Sequence, residues 1–155
     1  LSLRRQRQMC IRDSFTADPE VHRKLAERLV GKICLDAERI FDVETYGIEN
    51  CDVGIVAYGC ISRSVYEVIE LAKNKDINVG FVRLKTLWPF PEKFVKILAE
   101  KAEFIVVPEM NLKQVFYEVQ RVAACEAKVF PLNKVGGGEI ITPEEILAKI
   151  LEVRT

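Results

Sequence analysis

A three-layer α/β domain, with helices on both faces of a mostly parallel sheet, is predicted by three observations. Short, near-continuous apolar runs such as Val53–Tyr58 have the composition of strands buried on both faces. Between these runs apolar residues recur at helical spacing, as at Val65, Val68, Ile69 and Ala72. The chain has 155 residues, 49% apolar and 30% charged, which is the length and balance of one ordinary globular domain.

The elements follow in order. Residues 1–16 are basic, lack a helical or strand period, and contain MCIRDS, which resembles translated adapter sequence. They are read as non-native, or as a disordered arm if native. Residues 17–41 form a leading helix and connector. Asp18 is its cap, Pro19 its first residue and Glu20 an acid in the first turn, before a stripe of Val21, Leu25, Leu29 and Ile33. Gly31 inside that stripe is a candidate end.

The domain proper is expected over residues 42–155. Residues 41–48 leave room for a short strand before the strong one, Val53–Tyr58, which Gly59 ends. Ser64 and Glu67 have capping-box spacing for the next helix, with Ser62 as the rival cap. Val79–Leu84 is the next strand, and Pro91 opens a helix with Phe94, Ile97 and Leu98 on its inner stripe. Residues 104–107 form a strand, and Leu112, Val115, Phe116, Val119 and Ala123 form a helical stripe. A shorter strand over 128–132 precedes the capping box Thr142-Pro-Glu-Glu145, which opens a last helix. Strands separated by helices must run mostly parallel, because each crossover helix packs back on the sheet.

Composition narrows the function. Basic and acidic residues both number 23, so nothing steers the chain toward nucleic acid or an anionic membrane. No apolar run approaches the roughly 20 residues of a membrane span, and a cytoplasmic location is the default expectation. The five cysteines, Cys10, Cys34, Cys51, Cys60 and Cys125, include no C-x-x-C pair. They are read as buried or inert thiols rather than as a disulfide framework, a zinc site or a cluster site. His22, the one histidine, cannot build a multi-histidine metal centre.

In an open parallel sheet, ligands and partners meet the loops at the carboxyl ends of the strands. Gly59, Ser62 and Ser64 precede a helix whose N–H groups suit an anion, and Arg63 suits a phosphate or a partner carboxylate. The preferred reading is nonetheless a Gly-ended strand and an ordinary cap. Cys60 sits near that helix start, but no histidine stands by to activate it. Trp88, Pro89, Phe90 and Pro91 make a rigid aromatic turn, a packing device or an interface anchor. Glu109 and Asn111, directly after a strand, are a structural or subunit-contact pair, because no second carboxylate or histidine lies near Glu109. Gly136, Gly137 and Gly138 read as a flexible turn, since Glu139 opposes a phosphate there.

Together the loops are more specific. AYGCISRSVYEV, RLKTLWPFPEK, VPEMNLKQVFYEV and GGGEIITPEEIL, in this order, resemble the transketolase C-terminal-type domain of the alpha subunit of 2-oxoacid:ferredoxin oxidoreductases, especially the archaeal 2-oxoglutarate type. DPEVHRK resembles the segment preceding that domain, and the resemblance covers residues 18–153. It implies oxidative decarboxylation of a 2-oxoacid on thiamine diphosphate with magnesium. Coenzyme A takes the acyl group, and electrons pass through an iron–sulfur cluster to ferredoxin. In that family the thiamine surfaces belong to an upstream pyrimidine-binding domain and to the beta subunit, while this domain packs subunits together. The implied chain is inactive alone and binds no cofactor by itself. It has no catalytic or metal-binding residue, and its partners are the beta and further subunits.

Tyr58, Gly59, Cys60, Arg63, Trp88, Pro89, Phe90, Glu109, Asn111, Gln114 and Gly137 are the candidate contact or strand-end loop residues. Two positions depart from the family pattern: Lys113 stands where Gly is usual after Asn-Leu, and Cys60 where Ser is frequent. Two alternatives compete with this reading. One is a free-standing nucleotide or small-anion-binding module built on the Gly59 and Gly137 loops. The other is the equivalent domain of a dehydrogenase E1 or transketolase-type enzyme, against which the Trp-Pro-Phe-Pro and Glu-Met-Asn wording counts.

Overall fold

The computed structural model describes residues 18–154, and the expectation for residues 1–16 lies outside them. The described residues fall into two units, divided between Ile40 and Phe41. In the first are helices α1 (Pro19–Cys34) and α2 (Ala37–Ile40). Asp18 caps α1: its Oδ1 accepts the N–H groups of Glu20 at 2.8 Å and Val21 at 3.2 Å. Pro19 takes the first turn, where a missing N–H costs nothing. Gly31 does not end the helix. Its carbonyl accepts the Leu35 N–H at 2.9 Å, and α1 continues to Cys34.

The second unit runs β1 (Val43–Tyr46), β2 (Val53–Tyr58), α3 (Ile61–Lys73), β3 (Val79–Leu84), α4 (Glu92–Lys101), β4 (Phe104–Glu109), α5 (Gln114–Ala123), β5 (Lys128–Asn133) and α6 (Pro143–Arg154). The five strands form one sheet in the order β1-β3-β2-β4-β5. The pairs β2–β3, β2–β4 and β4–β5 are parallel, and only β1 runs antiparallel, against β3. The sheet is therefore mostly parallel, as expected. Glu44 faces Arg83 across the β1–β3 ladder and pairs with it at 2.8 Å.

Alternation along the strands feeds two cores, one on each face. Val53, Ile55 and Ala57 of β2 pack with Val65, Val68 and Ile69 of α3 and Ile146 and Ile150 of α6. Val56 of the same strand belongs to the opposite core, with Val95 and Leu98 of α4 and Val115 and Val119 of α5. The three layers follow directly. Gly54 and Gly80, paired across β2 and β3, allow α4 to lie close on the sheet. A Cβ on Gly80 would stand 2.8 Å from Leu98 Cδ1 and 2.7 Å from Cys51 Sγ.

At the β5 edge the Lys134 N–H donates to Glu109 O at 3.1 Å, so even-numbered residues of this segment turn their backbone groups toward β4. Pro131 then places its missing N–H on the open side, which blunts the edge against further strand pairing.

Several local expectations are corrected. Neither Ser64 nor Ser62 caps α3, which starts earlier, at Ile61, with Cys60 in the cap position and no side-chain cap bond. The Ser64 hydroxyl instead donates to Ile141 O at 3.0 Å, which ties α3 to the segment before α6. Ser62 lies on the inward stripe with Val65 and Ile69, and its hydroxyl has no partner. Pro91 is the cap of α4 rather than its first residue. Leu112 precedes α5 and is 75% exposed, so it is not part of the inner stripe. β4 runs on through Pro108 and Glu109, and β5 reaches Asn133. Among the described cysteines only Cys51 is buried, and burial pushes its thiol pKa up. Cys34, Cys60 and Cys125 are exposed because they sit at helix ends and turns rather than on an inner face.

Candidate functional site

The carboxyl ends of β2 and β4 are neighbours because the two strands pair. That adjacency brings Tyr58, Cys60, Glu109, Asn111 and Gln114 into one cluster. The Asn111 amide N–H donates to the Tyr58 hydroxyl, and its Oδ1 accepts the Gln114 N–H at 3.1 Å at the start of α5. Asn133, at the end of β5, donates its side-chain N–H to Asn111 O at 2.9 Å. Asn111 is thus held from three directions. Cys60 Sγ lies 3.9 Å from Met110 Sδ, a contact between the same two strand ends.

Glu109 is fully enclosed, with 0% exposure. Its Oε2 accepts the Val115 N–H at 2.9 Å and its Oε1 the Phe116 N–H at 2.7 Å. These are donors of the first turn of α5 that have no partner within the helix, and a carboxylate also suits the positive end of the helix dipole. Glu109 is therefore a structural anchor and offers no surface to a partner. Burial first, and then the charge of Glu109, push the Tyr58 phenol pKa above its usual range, against the lowering effect of the Asn111 N–H.

Lys113 has φ 68° and ψ 34°, the left-handed conformation, at the cap of α5. This is the position where the family pattern has Gly, and the geometry explains why Gly suits it. Its ammonium stands 5.8 Å from the centre of the Phe116 ring, a cation–π contact.

The other candidates lie apart from this cluster. Trp88, in the loop after β3, is 70% exposed, whereas Pro89 and Pro91 are buried and Phe90 packs partly against the core beside α4. The Trp88–Pro89 peptide is cis. Arg63 is exposed in the first turn of α3. Gly137 lies in the exposed turn after β5, where Gly136, Gly137 and Gly138 all have positive φ. The far end of that turn is held by Lys134, whose Nζ meets Ile140 O at 3.2 Å and Glu145 Oε1 at 2.8 Å.

Met110, Asn133 and the exposed Leu112 were not among the sequence candidates. Asn133 carried one usable signal, a polar side chain directly after an apolar strand run, while its meeting with Asn111 depends on the pairing of β4 with β5. Among the described residues, no group of three or more His, Cys, Asp or Glu side chains stands where it could share a metal ion. No helix among the described residues is long and apolar enough to cross a membrane.

The family model described as pyruvate:ferredoxin oxidoreductase core domain II matches residues 51–146. This chain belongs to that family. The matched stretch runs from Cys51, two residues before β2, into α6 and contains every strand-end loop just described. A curated relative, 2-oxoglutarate synthase subunit KorA of Methanothermobacter thermautotrophicus, is 44% identical over 137 residues. The match covers 88% of this chain, and the chain spans only 36% of the length of that relative.

Solved structures share the fold, two of them from different enzymes. A 2-oxoglutarate:ferredoxin oxidoreductase from Magnetococcus marinus, solved with 2-oxoglutarate, coenzyme A and succinyl-CoA bound, aligns with a TM-score of 0.72 at 23% identity over 88% of this chain and 24% of that one. A split-gene transketolase, in an inactive β4 tetramer, aligns with a TM-score of 0.61 at 17% identity over 70% of this chain and 40% of that one. The expected likeness to transketolase thus holds for the fold of core domain II. Neither the free-standing anion-binding reading nor the E1 or transketolase reading is favoured.

Proposed function

We propose that this chain is the C-terminal assembly domain of the alpha subunit of a thiamine-diphosphate-dependent 2-oxoacid:ferredoxin oxidoreductase whose 2-oxoacid is 2-oxoglutarate. The observation that carries this reading is how the strand-end residues are used. The Glu109, Asn111 and Asn133 side chains are engaged by the chain itself, while the large apolar side chains of Trp88 and Leu112 project outward. An edge with its polar groups internally satisfied and its apolar groups exposed is suited to protein contact rather than chemistry.

Thiamine diphosphate, magnesium and the iron–sulfur cluster then belong to other parts of the complex. Coenzyme A and ferredoxin are partners of the whole, and the beta subunit is the immediate neighbour. Domain boundaries at residues 17–41 and 42–155 and a cytoplasmic location are part of the same reading.

The test is a chimera in which this chain replaces the matching segment of the Methanothermobacter KorA subunit, co-expressed with the other subunits of that enzyme. The expected result is a complex that co-purifies and reduces ferredoxin with 2-oxoglutarate and coenzyme A. This chain alone gives no turnover, and calorimetry detects no tight binding of nucleotides, coenzyme A or thiamine diphosphate. Turnover by the chain alone, or a chimera that folds but does not assemble, overturns the proposal.

A further inference from the structure

We draw no further inference here: the strongest candidate, the exposed Cys60–Met110 sulfur pair at the N-terminus of α3 with the enclosed Ser62 hydroxyl in the same turn, rests on a helix N-terminus and a single cysteine, and nothing in the structure shows a ligand or a space for one.

Discussion

Glu109 Oε1 accepts the backbone N–H of Phe116 at 2.7 Å inside a fully buried site, which makes the last residue of β4 the anchor for the first turn of α5. A buried donor left without its acceptor costs about 1–3 kcal/mol. Glu109→Ala orphans two such donors and is expected to destabilise the domain by about 3 kcal/mol or more in urea unfolding. Glu109→Gln keeps one acceptor oxygen and is expected to cost less. Equal losses for the two variants would mean that the one acceptor oxygen kept by glutamine contributes nothing, which would contradict separate bonds from Val115 and Phe116 to the two carboxylate oxygens.

Lys113 carries a side chain in a conformation that disfavours one. The left-handed region costs a non-glycine residue about 1–2 kcal/mol. Lys113→Gly relieves that cost but loses the contact over Phe116, whereas Lys113→Ala loses the contact and keeps the strain. The glycine variant is expected to exceed the alanine variant by about 1 kcal/mol. Paired thermal melts measure the difference, and the reverse order would contradict a left-handed Lys113.

Gly80 has no room for a methyl group. A Cβ there meets Cys51 Sγ and Leu98 Cδ1 below 3 Å. Gly80→Ala is expected to cost about 1–3 kcal/mol through overpacking. Adding Leu98→Ala should offset part of that loss, so a double-mutant cycle with no coupling would argue against the close approach of α4.

Acid should weaken the β1–β3 ladder. Glu44 is held at about 2, against an ordinary 4.5, by its bonds to Lys85 and then Arg83. A carboxylate with a depressed folded pKa contributes stability in full above about 4.5 and loses it as pH falls toward about 2. Comparing wild type and Glu44→Gln by denaturant midpoint at pH 6 and pH 3 should show a gap that narrows at the lower pH. Because these charges are exposed, added salt should narrow it at pH 6 as well.

Trp88 separates the role of the surface from that of the fold. Most of its side chain faces solvent, so Trp88→Ala should leave the unfolding midpoint of the isolated chain nearly unchanged. In the chimeric complex the same change should weaken subunit association by at least tenfold, as expected of an exposed aromatic anchor losing about 2 kcal/mol. Unaltered association would remove Trp88 from the proposed contact surface.

Two serine- and threonine-led spacings with a glutamate three residues on mark the limit of sequence reading. Thr142 and Glu145 form the predicted capping box, with the Thr142 N–H on Glu145 Oε2 at 2.9 Å and the Glu145 N–H on Thr142 Oγ1 at 3.4 Å. Ser64 and Glu67 have the same spacing and do not, because α3 already begins at Ile61 and Ser64 lies within it, its hydroxyl donating to Ile141 O, 77 residues away in the chain. Glu109 illustrates the same limit. The residue was legible as an isolated strand-end carboxylate, but not as the acceptor for two N–H groups of α5.

The sequence by itself determined whatever depends on near neighbours: the buried runs of β2, β3 and β4, the helical stripes between them, the Asp18 and Thr142 caps, and the family motifs in the loops. These follow from periodicity and from hydrogen bonds spanning a few residues, which any stretch of chain can express alone. The tertiary structure alone decided the strand order, the antiparallel β1, the early start of α3, and which strand-end side chains meet. Each of those depends on atoms distant in the chain competing for the same donor, acceptor or space, and local spacing carries no record of the competitor.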